Sequence, residues 1–275
     1  MPVCNALTVD LEDWYHGYCA IPSPAVAPDQ RRVRPNTEAI LALLADCRVK
    51  ATFFVLGSVA AEDPTLVPMI AAAGHEIASH GYSHTLVTQL GPQRFRDELK
   101  KTADILADQC GEAPAGFRAP QWSLGPSTAW AMDILKEQGY CYDSSWNPLP
   151  VVGDPRGPRG PFRVETTRGG LLEIPPMVSR SIIGNLPTGG GWGFRFWPRS
   201  MIRRTIEGLN GQGLPAVLYL HPRELDPFGP RLPLSRFQSF VSYGPRTDAS
   251  VRLRELLKRY QFTTLKELAA AWQPA

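Results

Sequence analysis

The chain has 275 residues, 43% hydrophobic and 20% charged, with 29 Lys and Arg against 26 Asp and Glu and a net charge of +3. That balance excludes a disordered chain, and the charge is too mild to argue for nucleic acid as a partner. The length suits one large domain with a sizeable core, and no run of about 18 apolar residues offers a transmembrane segment.

In chain order, Ala6–Val9 reads as a strand that runs into acidic residues, and Asn36–Cys47 as a helix with Ile40, Leu43 and Leu44 on one face. Ala51–Leu56 is a buried strand closed by Gly57. Pro64–Ala73 is a helix with Pro near its start and Gly74 past its end. His75–Ser79 is a strand, Pro92–Gln109 a long amphipathic helix and Gly116–Arg118 a short strand. Pro126–Gln138 is a helix ending at Gly139, before a strand at Tyr140–Asp143. Leu171–Ile174 is a strand halted by two prolines. Helix Pro198–Leu209, strand Ala216–Leu220, helix Asp248–Tyr260, a strand near Phe262 and helix Leu265–Trp272 complete the series. Such alternation predicts parallel strands with crossover helices, closed into a barrel-like α/β arrangement of about eight strands. An open doubly wound sheet is the alternative. Residues 147–170 and 222–247, rich in Pro, Gly and Arg, are expected to form lids or walls. No internal repeat or linker divides the chain, so a single domain over 1–275 is expected, with a C-terminal extension from about 222.

Five scattered cysteines, Cys4, Cys19, Cys47, Cys110 and Cys141, form neither a disulfide framework nor a cysteine zinc site. They suit a reducing compartment. The N-terminus lacks the basic start and apolar run of a secretory leader, so a cytoplasmic location is expected.

The chemistry-bearing residues stand at predicted strand ends, where barrels and open α/β folds place their sites. His80 and His84, in Ser-His-Gly-Tyr-Ser-His, are four apart, a spacing that puts two imidazoles on one face of a turn or helix. Asp10, Glu12 and Asp13 close the first strand. Three carboxylates in four residues repel one another unless a cation or proton intervenes. One of them with the two histidines makes a divalent-metal site with coordination positions left for water. A second could be a general base. His221, ending Val-Leu-Tyr-Leu-His, is placed to act as a general acid. Arg118 could hold a catalytic carboxylate ionised, and Asp143 could orient His221. A structural ion pair is the plainer account of those two. His75 reads as structural and His16 as a loop or rim residue. The run Gly189–Trp197 is a candidate sugar-stacking surface or a glycine-rich turn with core aromatics.

Together these groups resemble the ordered motifs of the polysaccharide deacetylases of carbohydrate esterase family 4, the NodB-homology group. Thr-Val-Asp (8–10) is similar to that family's first motif, the 79–84 segment to its second, Phe-Arg-Ala-Pro (117–120) to its third, Tyr-Asp-Ser-Ser-Trp (142–146) to its fourth and Leu-Tyr-Leu-His (218–221) to its fifth. The segments 187–198 and 218–227 and the stretch from Leu234 to Phe262 also resemble the exosortase-associated deacetylases, a subgroup linked to exopolysaccharide synthesis. The resemblance implies a distorted (β/α) barrel of seven or eight parallel strands and hydrolysis of N-acetyl groups on amino sugars. It implies Asp10 as base supported by Arg118, and His221 as acid supported by Asp143. It further implies metal ligation by His80, His84 and Asp13, with Glu12 as the alternative, because Asp-Leu-Glu-Asp stands where the family has adjacent aspartates. The backbone N–H of Gln121 would stabilise the oxyanion, and Trp146 would form part of the substrate wall. The metal would be divalent: zinc, with cobalt, nickel or iron as other occupants. An N-acetylated saccharide is the expected partner. A cyclic-amide hydrolase on the same fold and a non-catalytic saccharide-binding protein are the other readings.

Overall fold

The computed structural model describes residues 3–19, 26–150, 152–245 and 248–273. In chain order the elements are β1 (Asn5–Leu11), α1 (Val33–Cys47), β2 (Thr52–Val55), α2 (Gly57–Glu62), α3 (Leu66–Ala72), β3 (Glu76–Ser79) and α4 (Val87–Cys110). Next come β4 (Gly116–Phe117), α5 (Trp130–Glu137), β5 (Tyr142–Asp143), β6 (Phe162–Val164), β7 (Leu171–Glu173), and a hairpin of β8 (Ser179–Ser181) and β9 (Gly184–Leu186). The last are α6 (Gly191–Phe196), α7 (Arg199–Asn210), β10 (Val217–Leu220), α8 (Arg236–Tyr243), α9 (Ala249–Arg259), β11 (Phe262–Thr263) and α10 (Leu265–Ala271).

One sheet runs β10-β1-β2-β3-β4-β5-β7-β6, with β11 paired to the start of β1. All pairings are parallel except β6 with β7, an antiparallel edge. The sheet curls into a half-barrel. Residues after β7 span its open side. The Met177 N–H donates to the Val217 carbonyl at 2.8 Å, and the Tyr219 N–H to that of Gly189 at 2.9 Å.

β1 is buried on both faces, and its side chains alternate between two surroundings. Leu7, Val9 and Leu11 pack outward with Phe53, Val55, Ile40, Leu44, Ile206 and Leu253. Ala6 joins Phe54, Ala78 and Tyr142 on the other face. Each large apolar side chain so buried contributes about 1.5–3 kcal/mol. The register aligns Leu11 with Val55, Val55 with Ser79, Ser79 with Phe117, and Phe117 with Asp143. The residues just beyond these ends, Glu12, His80 and Arg118, therefore emerge at one rim.

The predicted helices and strands all have counterparts. Periodicity did not mark α2, β6, the β8–β9 hairpin, α6 or α8, none longer than eight residues. α4 starts at Val87 and is broken at Gly91, whose φ of 70° precedes Pro92, the start predicted for it. Cys4, Cys47, Cys110 and Cys141 are free thiols.

The glycine-rich run before α6 serves close backbone packing. A Cβ on Gly190 would stand 2.2 Å from the Tyr219 carbonyl oxygen, and one on Gly193 only 1.5 Å from that of Pro187. Backbone cannot yield as a side-chain tip does. Gly193→Ala is therefore expected to cost at least the roughly 1–3 kcal/mol of ordinary overpacking. That corresponds to a fall of several degrees in Tm for a chain of this size, read by thermal melting. An unchanged Tm would show that α6 is not held against 187.

Candidate active site

Asp10 and Glu12 share the inward parity of β1, and both line a cavity of about 660 Å³ together with His80, His84, Gln121 and His221. Glu12, His80 and His84 offer one ligand atom each within 4.8 Å of one another. Glu12 Oε1 lies 3.4 Å from His84 Nε2 and 3.8 Å from His80 Nε2. His80 Nδ1 stands 2.7 Å from the Arg118 carbonyl oxygen. A carbonyl only accepts, so Nδ1 carries the proton and Nε2 presents its lone pair to the cluster, the orientation of a metal-binding imidazole. The two histidines come from an irregular loop rather than one face of a helix. His80 directly follows β3, and His84 sits at φ 60°. Burial alone would push Glu12 up, but His84, Arg223 and His221 outweigh it and hold its carboxyl well below the usual range. Arg223 Nη1 meets the other Glu12 oxygen at 2.9 Å. Two imidazoles and a carboxylate are a fitting donor set for a divalent metal.

Asp13 is not part of this cluster. It follows the outward parity of Leu7, Val9 and Leu11. Its carboxylate accepts the backbone N–H of Trp14 at 2.7 Å, of Arg32 at 2.9 Å and of Val33 at 3.1 Å. It thereby ties the end of β1 to the start of α1. Asp13, expected as the ligand, stands outside the cluster, and Glu12 stands in it instead, a placement that strand alternation decides. His16, expected at a rim, is 7% exposed. Its Nδ1 accepts the Asp13 N–H, and its ring centroid is 6.0 Å from that of His84. Burial, against the pull of Glu12, depresses its pKa to about 4, so it is neutral.

Arg118 is fully buried. Its Nη1 donates to Asp10 Oδ1 at 2.7 Å and to Thr8 Oγ1 at 2.7 Å, its Nε to the Ser144 carbonyl and its Nη2 to Ser144 Oγ. The guanidinium lies 4.2 Å over the Phe54 ring and 4.9 Å from that of Trp122. A buried arginine so satisfied is locked, and it locks Asp10. The next turn carries strain. Gln121 and Trp122 adopt φ of 51° and 58°. Of the four described non-glycine residues with positive φ, these two and His84 stand at the site.

His221 is positioned differently from the expectation. Its Nδ1 lies 2.6 Å from Glu224 Oε1, one 3₁₀ turn ahead, and Glu224 Oε2 is 3.4 Å from Arg195 Nε. The Pro222 start and the acid three residues after His221 form the reciprocal cap that a His-Pro-x-Glu stretch can signal. His221 Nε2 points to Glu12 Oε1 at 3.3 Å and Asp10 Oδ2 at 3.8 Å. Burial and Arg223 push His221 down, but Glu12 and Glu224 outweigh them and raise it to about 9.

Asp143, expected to orient His221, turns elsewhere. It accepts the Ser145 hydroxyl at 2.6 Å, and Ser145 Oγ accepts the Ala119 N–H at 2.7 Å, steadying the strained turn. Trp146, expected as a cavity wall, packs its ring against Phe162 at 5.6 Å, and Trp122, Leu149, Trp192 and Tyr219 form the wall instead.

Asp143 and Glu173 are neighbours with no exposed surface. Burial raises both carboxyls, Glu173 well above its ordinary value because the Asp143 charge adds to the burial. Two such groups hold one proton between them. The unfolded chain releases that proton once pH passes the ordinary glutamate value of 4.5, while the folded chain keeps it. Stability from this pair therefore falls as pH rises above 4.5. Glu173→Gln supplies the shared hydrogen permanently. The variant should show a flatter decline of Tm as pH rises above 5, with the gap favouring it most at the alkaline end. Parallel curves would remove the shared proton from the account.

Residues 25–142 match the family profile described as Polysaccharide deacetylase, and residues 144–270 match one described as Domain of unknown function (DUF3473). The chain is 31% identical over 166 residues to a peptidoglycan-N-acetylglucosamine deacetylase of Bacillus cereus, covering 56% of this chain and 59% of that one. It spans 35% of a Helicobacter pylori peptidoglycan deacetylase, at 32% identity over 106 residues and 38% of this chain. The fold is shared with a solved Mycobacterium smegmatis structure described as a polysaccharide deacetylase. That match has a TM-score of 0.67 and 23% identity, over 98% of this chain and 90% of that one. His221, Glu224, Arg223 and Arg195 all come from the second matched stretch, and β10 pairs with β1 in the same sheet. The chain thus carries a polysaccharide deacetylase domain over residues 25–142, and a C-terminal stretch of unassigned function that completes the half-barrel and its cavity.

Proposed function

We propose that the chain hydrolyses N-acetyl groups on amino sugars of a polysaccharide or its precursor, and that residues 1–275 act as one catalytic domain. The observation that carries this reading is the convergence of Asp10, His221 and the Glu12–His80–His84 cluster on one cavity. A divalent metal held by Glu12, His80 and His84, with zinc best suited to that donor set and cobalt, nickel or iron also compatible, would polarise the acetamide carbonyl and acidify the attacking water. Asp10, held in place by its hydrogen bond from Arg118, takes the proton of that water. His221, protonated at neutral pH, gives a proton to the departing nitrogen. Amide hydrolysis needs both transfers, because water is a poor nucleophile and an amine a poor leaving group. The backbone N–H of Gln121, in its strained turn, is the oxyanion donor of this scheme. The resemblance to exosortase-associated deacetylases makes an exopolysaccharide the substrate of first choice.

The test incubates the full chain, supplied with divalent metal, with N-acetylglucosamine oligosaccharides and with allantoin, following acetate and primary amine. Release of both from the sugar with allantoin unchanged is expected. Ring opening of allantoin, or saccharide binding without acetate release across a broad panel, would overturn the reading.

A further inference from the structure

Among the described residues, the large apolar side chains that stand exposed all fall between Val152 and Val251. Three of them, Val152, Ile183 and Phe237, line the cavity that holds the site. Ile182 and Ile183 form the tip of the β8–β9 hairpin and are 105% and 79% exposed. The hairpin is not loose: Asn185 Nδ2 donates to the Pro148 carbonyl at 2.8 Å, fastening it to the loop that carries Val152. On α8, Phe237 and Phe240 are one turn apart and both exposed. Phe240 packs on Phe196 at 5.5 Å and on Trp192 at 6.1 Å, joining α8 to α6. The rim of the cavity is thus apolar on two sides and rigidly held.

The charge of this rim is one-sided along the hairpin, α6 and α8, while the Val152 loop carries Asp154. No Asp or Glu occurs between Glu173 and Glu207, nor between Asp226 and Asp248, the stretches that carry the hairpin, α6 and α8. Arginines stand beside the apolar tips. Arg180 is exposed two residues before Ile182, Arg236 is exposed beside Phe237, and Arg159 is near enough to Arg180 to feel its charge. An anionic polymer would match the arginines but gains nothing from bare isoleucines. Branched aliphatic tips fringed by cations without acids match the boundary between acyl chains and anionic headgroups.

We propose that the cavity mouth docks on a bilayer surface bearing anionic headgroups, with Ile182, Ile183 and Phe237 entering the interface and Arg180 and Arg236 meeting the phosphates. The site would then open toward the membrane plane, where a saccharide carried on a lipid is presented. The docking itself does not depend on the deacetylase reading.

Co-sedimentation of the full chain with phosphatidylcholine vesicles, with and without phosphatidylglycerol, tests it. Binding to the phosphatidylglycerol vesicles is expected, weakened by salt. Arg180→Ser should lower it about fivefold, and Ile182→Ser with Ile183→Ser about tenfold or more. The hairpin tip touches no core, and circular dichroism of the variants checks that they fold. Equal sedimentation with both vesicle types would overturn the proposal, as would binding indifferent to the isoleucine pair. Displacement from vesicles by dextran sulfate, with the isoleucine variant behaving as the parent, would assign the rim to a soluble polyanion instead. A dimer in sedimentation velocity that Ile182→Ser disperses would assign it to a second copy.

Discussion

Glu12→Gln is expected to strip the protein of bound divalent metal and of turnover together, whereas Asp13→Asn should keep both and melt at a lower temperature. Glu12 faces the two imidazole Nε2 atoms at 3.4 and 3.8 Å, and its amide counterpart offers a neutral and weaker donor. Loss of a hydrogen-bond partner behind a ligand already costs about 10–100-fold in metal affinity, so loss of an anionic ligand should exceed that. Arg223 is also left facing an uncharged amide, which places an unneutralised cation beside the site. His80→Ala should give the same loss of metal. Asp13 instead accepts three backbone N–H groups, that of its neighbour Trp14 and those of Arg32 and Val33 at the start of α1. Its amide turns a donor toward donors, at a cost of about 1–3 kcal/mol. For a chain of this size that is roughly 2–4 °C in Tm for each kcal/mol. Metal content after dialysis, measured with Tm on the same samples, separates the two. Metal retained by Glu12→Gln and lost from Asp13→Asn would reverse the assignment.

The contrast between these neighbours shows what the sequence could and could not tell. The motif order placed Asp10, His80, His84, Arg118 and His221 in one cavity neighbourhood because each ends or follows a strand, and the register of a parallel sheet brings strand ends together. The choice between Glu12 and Asp13 was also legible, since two-residue alternation from Leu7, Val9 and Leu11 sends Asp13 outward. Residue type outweighed that parity and pointed to the acid that stands outside the histidine cluster. The partner of His221 was legible in a different way, as an acid three residues after a His-Pro step, but a cap is a local signal and the expectation looked to a distant strand. Trp146 could not be placed from sequence, because its contact with Phe162 depends on β6, an antiparallel edge strand of three residues with no periodic signature. The segments that wall the cavity were legible as Pro-, Gly- and Arg-rich stretches and as the aromatic run 189–197, but how they are held was not. The hairpin, α6 and α8 are held by glycine packing and by Arg195, whose guanidinium donates to the Gly244 and Val241 carbonyls, contacts that no local pattern encodes.

Glu224→Gln is expected to lower kcat by about 10–10², and Asp143→Asn to leave it within a few-fold. His221→Gln sets the scale, since loss of a general acid costs about 10²–10⁴. Glu224 Oε1 lies 2.6 Å from His221 Nδ1, so it fixes the ring, and with it the Nε2 that faces Asp10 and Glu12. Its charge also helps hold His221 near 9. A glutamine keeps an oxygen for the Nδ1–H but removes that charge, so the imidazolium loses its proton at lower pH. The alkaline limb of the kcat/KM profile should therefore move to lower pH in Glu224→Gln, a shift that a merely structural role would not produce. Asp143 spends its oxygens on Ser145 and on the proton shared with Glu173, so Asp143→Asn should alter Tm and leave the alkaline limb where it is. If instead Asp143→Asn moved the limb and Glu224→Gln did not, His221 would be governed from β5 and the cap at Pro222 would be structural only. Arg195→Gln offers the next step outward. It removes the cation 3.4 Å from Glu224 while leaving the carboxylate–imidazole contact, so it should disturb kcat less than Glu224→Gln and raise rather than lower the pH at which His221 loses its proton.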